Sequence, residues 1–156
     1  MSRFETLELG GFPHRAAVMA AAGLAALAVD FVTKRVAVAL DPDSLLFHVS
    51  DRAPFGLGAS LILVVAASSL LACVVPARLV AVGAGVALGG AVGNLASRHW
   101  WSARGGSPDF IPLGDGSTGN VADLFIGLGV GTMLIGTVVW LGWTIATGAR
   151  NPSAAG

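Results

Sequence analysis

The sequence predicts an all-α integral membrane protein with four transmembrane helices and two long loops on one membrane face. Three observations lead there. Hydrophobic residues make up 54% of the 156 and charged residues only 12%, about half the charged share of a soluble domain. Four apolar segments, residues 16–33, 57–75, 77–97 and 121–147, approach the roughly 20 residues that a helix needs to cross a bilayer core. The alternating pattern of a membrane β-barrel is missing. The expectation is a single membrane domain over residues 1–156.

The first segment follows Arg15 and holds Ala26-Leu27-Ala28, features shared with a cleavable secretory signal. Its apolar run passes beyond that site into Asp30-Phe31-Val32-Thr33-Lys34, and three more segments follow. It therefore reads as a retained span. The second segment contains "SSLLAC", which mimics a lipoprotein cleavage box, but Cys73 lies inside the apolar run and reads as a small packing residue. A lone cysteine also excludes an internal disulfide framework. Pro76 is nearly all that separates segments two and three, so they form a tight hairpin. Segments three and four are rich in Gly and Ala, which allow helices to approach closely in lipid.

Residues 34–56 and 98–120 are long connections, and long loops in compact proteins tend to carry function. With four spans, parity puts both loops on one face, together with the ends of segments one and three and the start of segment four. Charge does not choose that face. Lys34, Arg35, Arg52, Arg98 and Arg104 lie on the loop side, and Arg3, Arg15, Arg78 and Arg150 on the other, so the positive-inside rule leaves the orientation open. A formal net charge of zero provides no basic field for nucleic acid.

Among the carboxylates, only Asp30 and Asp123 fall within apolar segments, where an ionisable group is costly and a functional candidate. Asn94 ends segment three and Asn120 precedes segment four. Asp30, Asn94, Arg98, Asp109, Asn120 and Asp123 are thus expected to converge at one bilayer edge. All but Arg98 also have a local reading. Asn120 and Asp123 fit the N-cap and N3 positions of a helix start. Asp30 and Lys34 fit an i,i+4 ion pair, Asn94 a bridge between helices, and Asp109 a solvated loop residue. His14, His48 and His99 lack metal-ligand spacing, so no metal or cofactor is expected.

In combination and in order, these motifs resemble the lipoprotein signal peptidases (signal peptidase II), four-helix membrane aspartyl proteases of bacteria. That family's Asp-x-x-x-Lys is matched by Asp30 to Lys34. Its Gly-Gly-x-x-Gly-Asn-x-x-Asp-Arg is matched by Gly89-Gly90-Ala91-Val92-Gly93-Asn94-Leu95-Ala96-Ser97-Arg98. Val-Asp-Phe-Ile corresponds to Pro108-Asp109-Phe110-Ile111, and Phe-Asn-x-Ala-Asp to Gly119-Asn120-Val121-Ala122-Asp123. The resemblance covers about residues 15–147. It implies a catalytic dyad of Asp109 and Asp123. Asn94, Arg98 and Asn120 would support the dyad or hold substrate, and Asp30 and Lys34 would structure the rim.

The departures are specific. The family's Asp before Arg is Ser97, which offers Arg98 a hydrogen-bonding hydroxyl but no permanent anion. Its substrate-facing Asn is Ser50, and of Asn-x-Gly-Ala-x-Phe only Ala53 and Phe55 remain. The stretch from Arg98 to Asp109 is longer than usual and holds Trp100 and Trp101, residues suited to anchoring at the membrane interface. The stretch PLGDGSTG between the two aspartates is shorter than usual and leaves Asp115 as a turn residue.

By resemblance, the substrate is a prolipoprotein whose signal peptide precedes a diacylglyceryl-modified cysteine. The protein would work as a monomer among membrane lipids of the bacterial inner membrane, with its active site on the extracytoplasmic face. Carboxylates within hydrogen-bonding range share a proton, so such a pair serves as base and acid together. Ser97 and Ser50 motivate a second expectation: a catalytically impaired relative that binds lipoprotein signal helices or serves as a subunit of a membrane complex. A proton- or ion-handling bundle built on Asp30 and Asp123 is the weakest reading, because so few intramembrane partners make a poor conduction path.

Overall fold

The computed structural model describes residues 11–40, 46–48, 63, 67–68, 70–72, 75–114 and 117–148. Three helices dominate: α1 (Phe12–Leu40), α2 (Arg78–Trp100) and α3 (Val121–Gly148). At 29, 23 and 28 residues, these three are long and apolar enough to cross a membrane. Most of the expected span 57–75 lies outside the described residues, as do Ser50, Cys73 and Asp115; residues 67–68 and 70–72 within that span are helical.

The first helix corrects the expected boundary. It begins at Phe12 and continues to Leu40, so residues 34–40 belong to the helix and not to a loop. Pro13 sits in the first turn, where a missing N–H costs nothing. Beyond Lys34, Val36, Val38 and Leu40 continue the apolar composition. Lys34 does not mark an exit to water, because its side chain is buried.

Glycines set how the helices meet. A side chain at Gly85 or Gly89 would run into the α1 backbone at Met19 or Gly23, and Gly93 is pressed against the Asp30 carboxylate. Residue numbers rise together along both helices, so α1 and α2 run parallel. On its other side α2 meets α3 through Gly83 against Gly129 and Met133, Gly90 against Ala122, and Val80 against Gly136. Here one number rises as the other falls, so α3 is antiparallel to α2. Ala72, Val75, Val80, Ala84, Ala87 and Met133 form the buried core. Elsewhere the helices stay apolar toward the outside. Val32, Leu128 and Val138 are all more than half exposed, Val138 by 69%, as expected of helices bathed in lipid.

Gly93 gives a direct test of this packing. A methyl group there would stand 2.5 Å from Asp30 Oδ2, and that carboxylate is pinned by two further partners described below. Gly93→Ala is expected to lower stability by about 1–3 kcal/mol, the scale of overpacking, read by SDS-induced unfolding in mixed micelles. An unchanged midpoint would mean that α1 and α2 separate freely at this level.

The connection between α2 and α3 is short-stranded. A 3₁₀ turn (Ser102–Arg104) is followed by β2 (Ser107–Asp109), β3 (Ile111–Pro112) and β4 (Thr118–Gly119). Gly105 and Gly106, at φ 94° and 134°, turn the chain where a side chain is disfavoured. β2 pairs antiparallel with β1 (Leu46–His48) of the first loop, with Leu46 opposite Asp109. β3 pairs with β4, with Ile111 opposite Gly119. The two loops are thus joined beside Asp109, and the hairpin returns the chain directly to the start of α3.

Candidate active site

The start of α3 organises the site. Asn120 Oδ1 accepts the Ala122 N–H at 3.0 Å, and Asp123 Oδ2 accepts the Asn120 N–H at 2.9 Å. This reciprocal arrangement is a capping box in which both orphan donors are satisfied locally, and the negative charge sits at the positive end of the helix. Asn120 has a second task. Its Nδ2 donates to Asp109 Oδ1 at 2.6 Å and lies 3.4 Å from the buried Ser107 hydroxyl. One asparagine therefore ties strand β2 to the helix cap, with Asp109 on one side and Asp123 on the other. Asp109 is half-buried at the end of a strand, not a solvated loop residue, while Asp123 is exposed.

Asp123 Oδ1 accepts from Asn94 Nδ2 at 2.8 Å. Asn94 Oδ1 in turn accepts from Lys34 Nζ at 2.9 Å. Lys34, the chain's only lysine, also donates to Asp30 Oδ2 at 2.9 Å and to Ser97 Oγ at 3.0 Å. Its three N–H groups thus have three acceptors, which is what permits an ammonium to be fully buried. Asp30 completes the circuit, because its Oδ1 accepts the Ala122 N–H at 3.0 Å. A carboxylate on α1 thereby caps the helix that carries Asp123.

Hydrogen bonds thus bring Asp30, Asn94, Asp109, Asn120 and Asp123 together with Lys34 and Ser97, whereas Ser50 lies outside the described residues. Ser97 differs from expectation in its partner. Its hydroxyl accepts from Lys34 and donates to Gly93 O at 2.6 Å, so it serves the buried lysine and not Arg98. The Arg98 Nε is buried without a hydrogen-bond partner among the described residues. The charges of Asp123 and Asp109 nevertheless both reach the Arg98 guanidinium, and both reach Lys34. Two cations and three carboxylates therefore share one electrostatic neighbourhood at the helix ends. Among the described residues, no group of His, Cys, Asp and Glu is placed to hold a metal ion.

A comparison with family models matches residues 23–139 to signal peptidase (SPase) II. That match covers most of the chain, including all of α2 and the greater part of α1 and α3. The chain belongs to the signal peptidase II family. Neither curated proteins nor solved structures gave a match. At the level of the family this means signal-peptidase-II-type aspartic peptidase function, lipoprotein signal peptides as substrates, and a multi-pass membrane setting.

Sequence reasoning missed two features of this signal peptidase II site. One is Ser107, whose hydroxyl lies beside the Asn120 amide; a lone serine in a loop carries no signal. The other is the Lys34–Asn94 hydrogen bond, which joins residues 60 positions apart. Its trace in the sequence is the Gly85, Gly89, Gly93 spacing, which sets α2 against α1 in the register that brings Lys34 to Asn94.

Proposed function

We propose that the chain is a membrane aspartic endopeptidase that removes signal peptides from diacylglyceryl-modified prolipoproteins, with Asp109 and Asp123 as its catalytic pair. The observation that carries this reading is the double use of Asn120, whose amide holds Asp109 while its backbone N–H is held by Asp123. One residue thereby fixes both carboxylates, as acid–base catalysis requires. In the reaction, one carboxylate takes a proton from water as the water attacks the scissile carbonyl carbon. The other donates a proton to the carbonyl oxygen. The pair acts as a unit, so the proton belongs to both.

The remaining residues have supporting roles. Asn94 restrains Asp123 from the α2 side and is itself held by Lys34. Arg98 supplies positive charge near both carboxylates. Asp30 fixes the cap of α3, and Ser97 completes the shell of Lys34. In this reading residues 57–75 are a fourth span, which makes one domain of residues 1–156 and puts both long loops on one face; the resemblance makes that face the extracytoplasmic side of a bacterial inner membrane. The working form is a monomer. A signal helix lies in the bilayer beside the pair, with its cleavage site at the level of the α3 cap.

Full-length protein in proteoliposomes is expected to cut a diacylglyceryl-modified precursor and to leave the unmodified precursor intact, as read by mass spectrometry of the products. A second reading rests on Ser97 serving Lys34 while Arg98 Nε has no hydrogen-bond partner among the described residues. It makes the chain a signal-helix-binding relative or a complex subunit without peptidase activity. That reading requires both precursors to survive while the lipidated one still binds.

A further inference from the structure

Away from the carboxylate pair, α1 and α2 leave a crease of about 350 Å³. Gly23 and Gly89 form its floor, and Leu24, Leu27, Leu88 and Val92 are among its walls. Val92 and Asn94 are two residues apart on α2, hence about 200° apart around the helix at 3.6 residues per turn. Asn94 turns toward Asp123 on α3, so the crease opens on the far side of α2 from the site.

Beyond the crease, toward the C-terminal end of α1, the chemistry changes. Leu27, Phe31 and Arg35 follow one another at i,i+4 spacing and so share one face of α1. The Phe31 ring meets Trp100 edge-on, with 5.0 Å between centroids. The Arg35 guanidinium lies 5.3 Å from the centre of the Phe31 ring, and Arg35 is exposed. An apolar crease is thus followed along this face by an aromatic pair and then a cation. That is the order of layers that a phospholipid presents: acyl chain, interface and phosphate.

We propose that this crease binds an anionic phospholipid, with one acyl chain along Gly23 and Gly89 and its phosphate at Arg35. Charge complementarity selects this occupant over a neutral diacylglyceryl group, which carries no charge to meet the exposed Arg35. Position argues the same way, since a substrate acyl chain must arrive on the side of Asp109 and Asp123.

Native mass spectrometry of the full-length protein, titrated with phosphatidylglycerol, phosphatidylcholine and diacylglycerol, tests the proposal without reference to cleavage. Phosphatidylglycerol is expected to bind tightest. Arg35→Gln should weaken it roughly fivefold, the scale of one basic residue at an anionic surface, and erase its advantage over phosphatidylcholine. Val92→Trp, which fills the crease, should weaken both phospholipids, with circular dichroism confirming retained helix. The proposal is overturned if wild-type protein binds both phospholipids equally, or if Arg35→Gln keeps the preference. Diacylglycerol binding as tight as phosphatidylglycerol would also overturn it, by giving the crease to neutral acyl chains.

Discussion

Asp109→Asn and Asp123→Asn are each expected to reduce cleavage of a lipidated precursor by about 10²–10⁴-fold, the usual contribution of positioned acid–base groups. Asparagine keeps the shape of each side chain but carries neither a charge nor an exchangeable carboxyl proton. At position 109 the amide oxygen still accepts from Asn120 Nδ2, the role that Asp109 Oδ1 has now. At position 123 the amide oxygen can accept the Asn120 N–H, so the helix cap survives, while the hydrogen bond from Asn94 Nδ2 is lost. Both variants should therefore insert, fold and bind precursor. The double variant should lose little more than either single one, because residues acting as a unit are not additive. Losses that multiply in the double variant would show that the two carboxylates work independently.

The second large effect concerns stability. Lys34 and Asp30 are almost completely buried, at 0% and 1% exposure, and 2.9 Å apart. Removing one member leaves the other as an uncompensated buried charge, at a cost of about 3–5 kcal/mol. Lys34→Met should thus destabilise the fold strongly, and so should Asp30→Leu, which also withdraws an acceptor from the Ala122 N–H. Replacing both together with apolar residues should recover much of the loss, because a buried ion pair against well-packed apolar groups is often close to neutral. Peptidase activity should not recover in parallel, since Asn94 loses its Lys34 donor. Unfolding midpoints in SDS, measured beside cleavage rates, separate the two effects. A double variant whose destabilisation is the sum of the singles would show that the pair is not coupled.

Interactions between near neighbours in the chain were legible in the sequence. Asn120 and Asp123 are three positions apart and Asp30 and Lys34 four, so helical geometry alone brings each pair together. The three long helices were legible from apolar runs of bilayer length. The end of α1 was misplaced because Lys34-Arg35 resembles a membrane boundary, whereas only Arg35 turns outward and Lys34 is buried. The strands left no mark. They are two or three residues long and form through backbone hydrogen bonds, with too little length to show alternation.

The site was harder to read where it depends on register. Ser97 takes the place of the family's Asp before Arg, and that resemblance suggested a partnership with Arg98. One residue on a helix turns about 100°, and that angle directs Ser97 to Lys34 on α1. The link from Lys34 through Asn94 to Asp123 joins all three helices. It follows from the glycine contacts between them and not from any local spacing. In physical terms, the sequence carried the functional groups and their helical neighbours, while packing decided which groups met.

Single-turnover cleavage of a diacylglyceryl-modified precursor by reconstituted wild-type protein, compared with its Asp109→Asn and Asp123→Asn variants, tests the catalytic pair most directly. The expected result is a product cut immediately before the modified cysteine by wild-type protein, with intact precursor in both variants. Product from either variant at the wild-type rate, or intact precursor with folded wild-type protein, would contradict it.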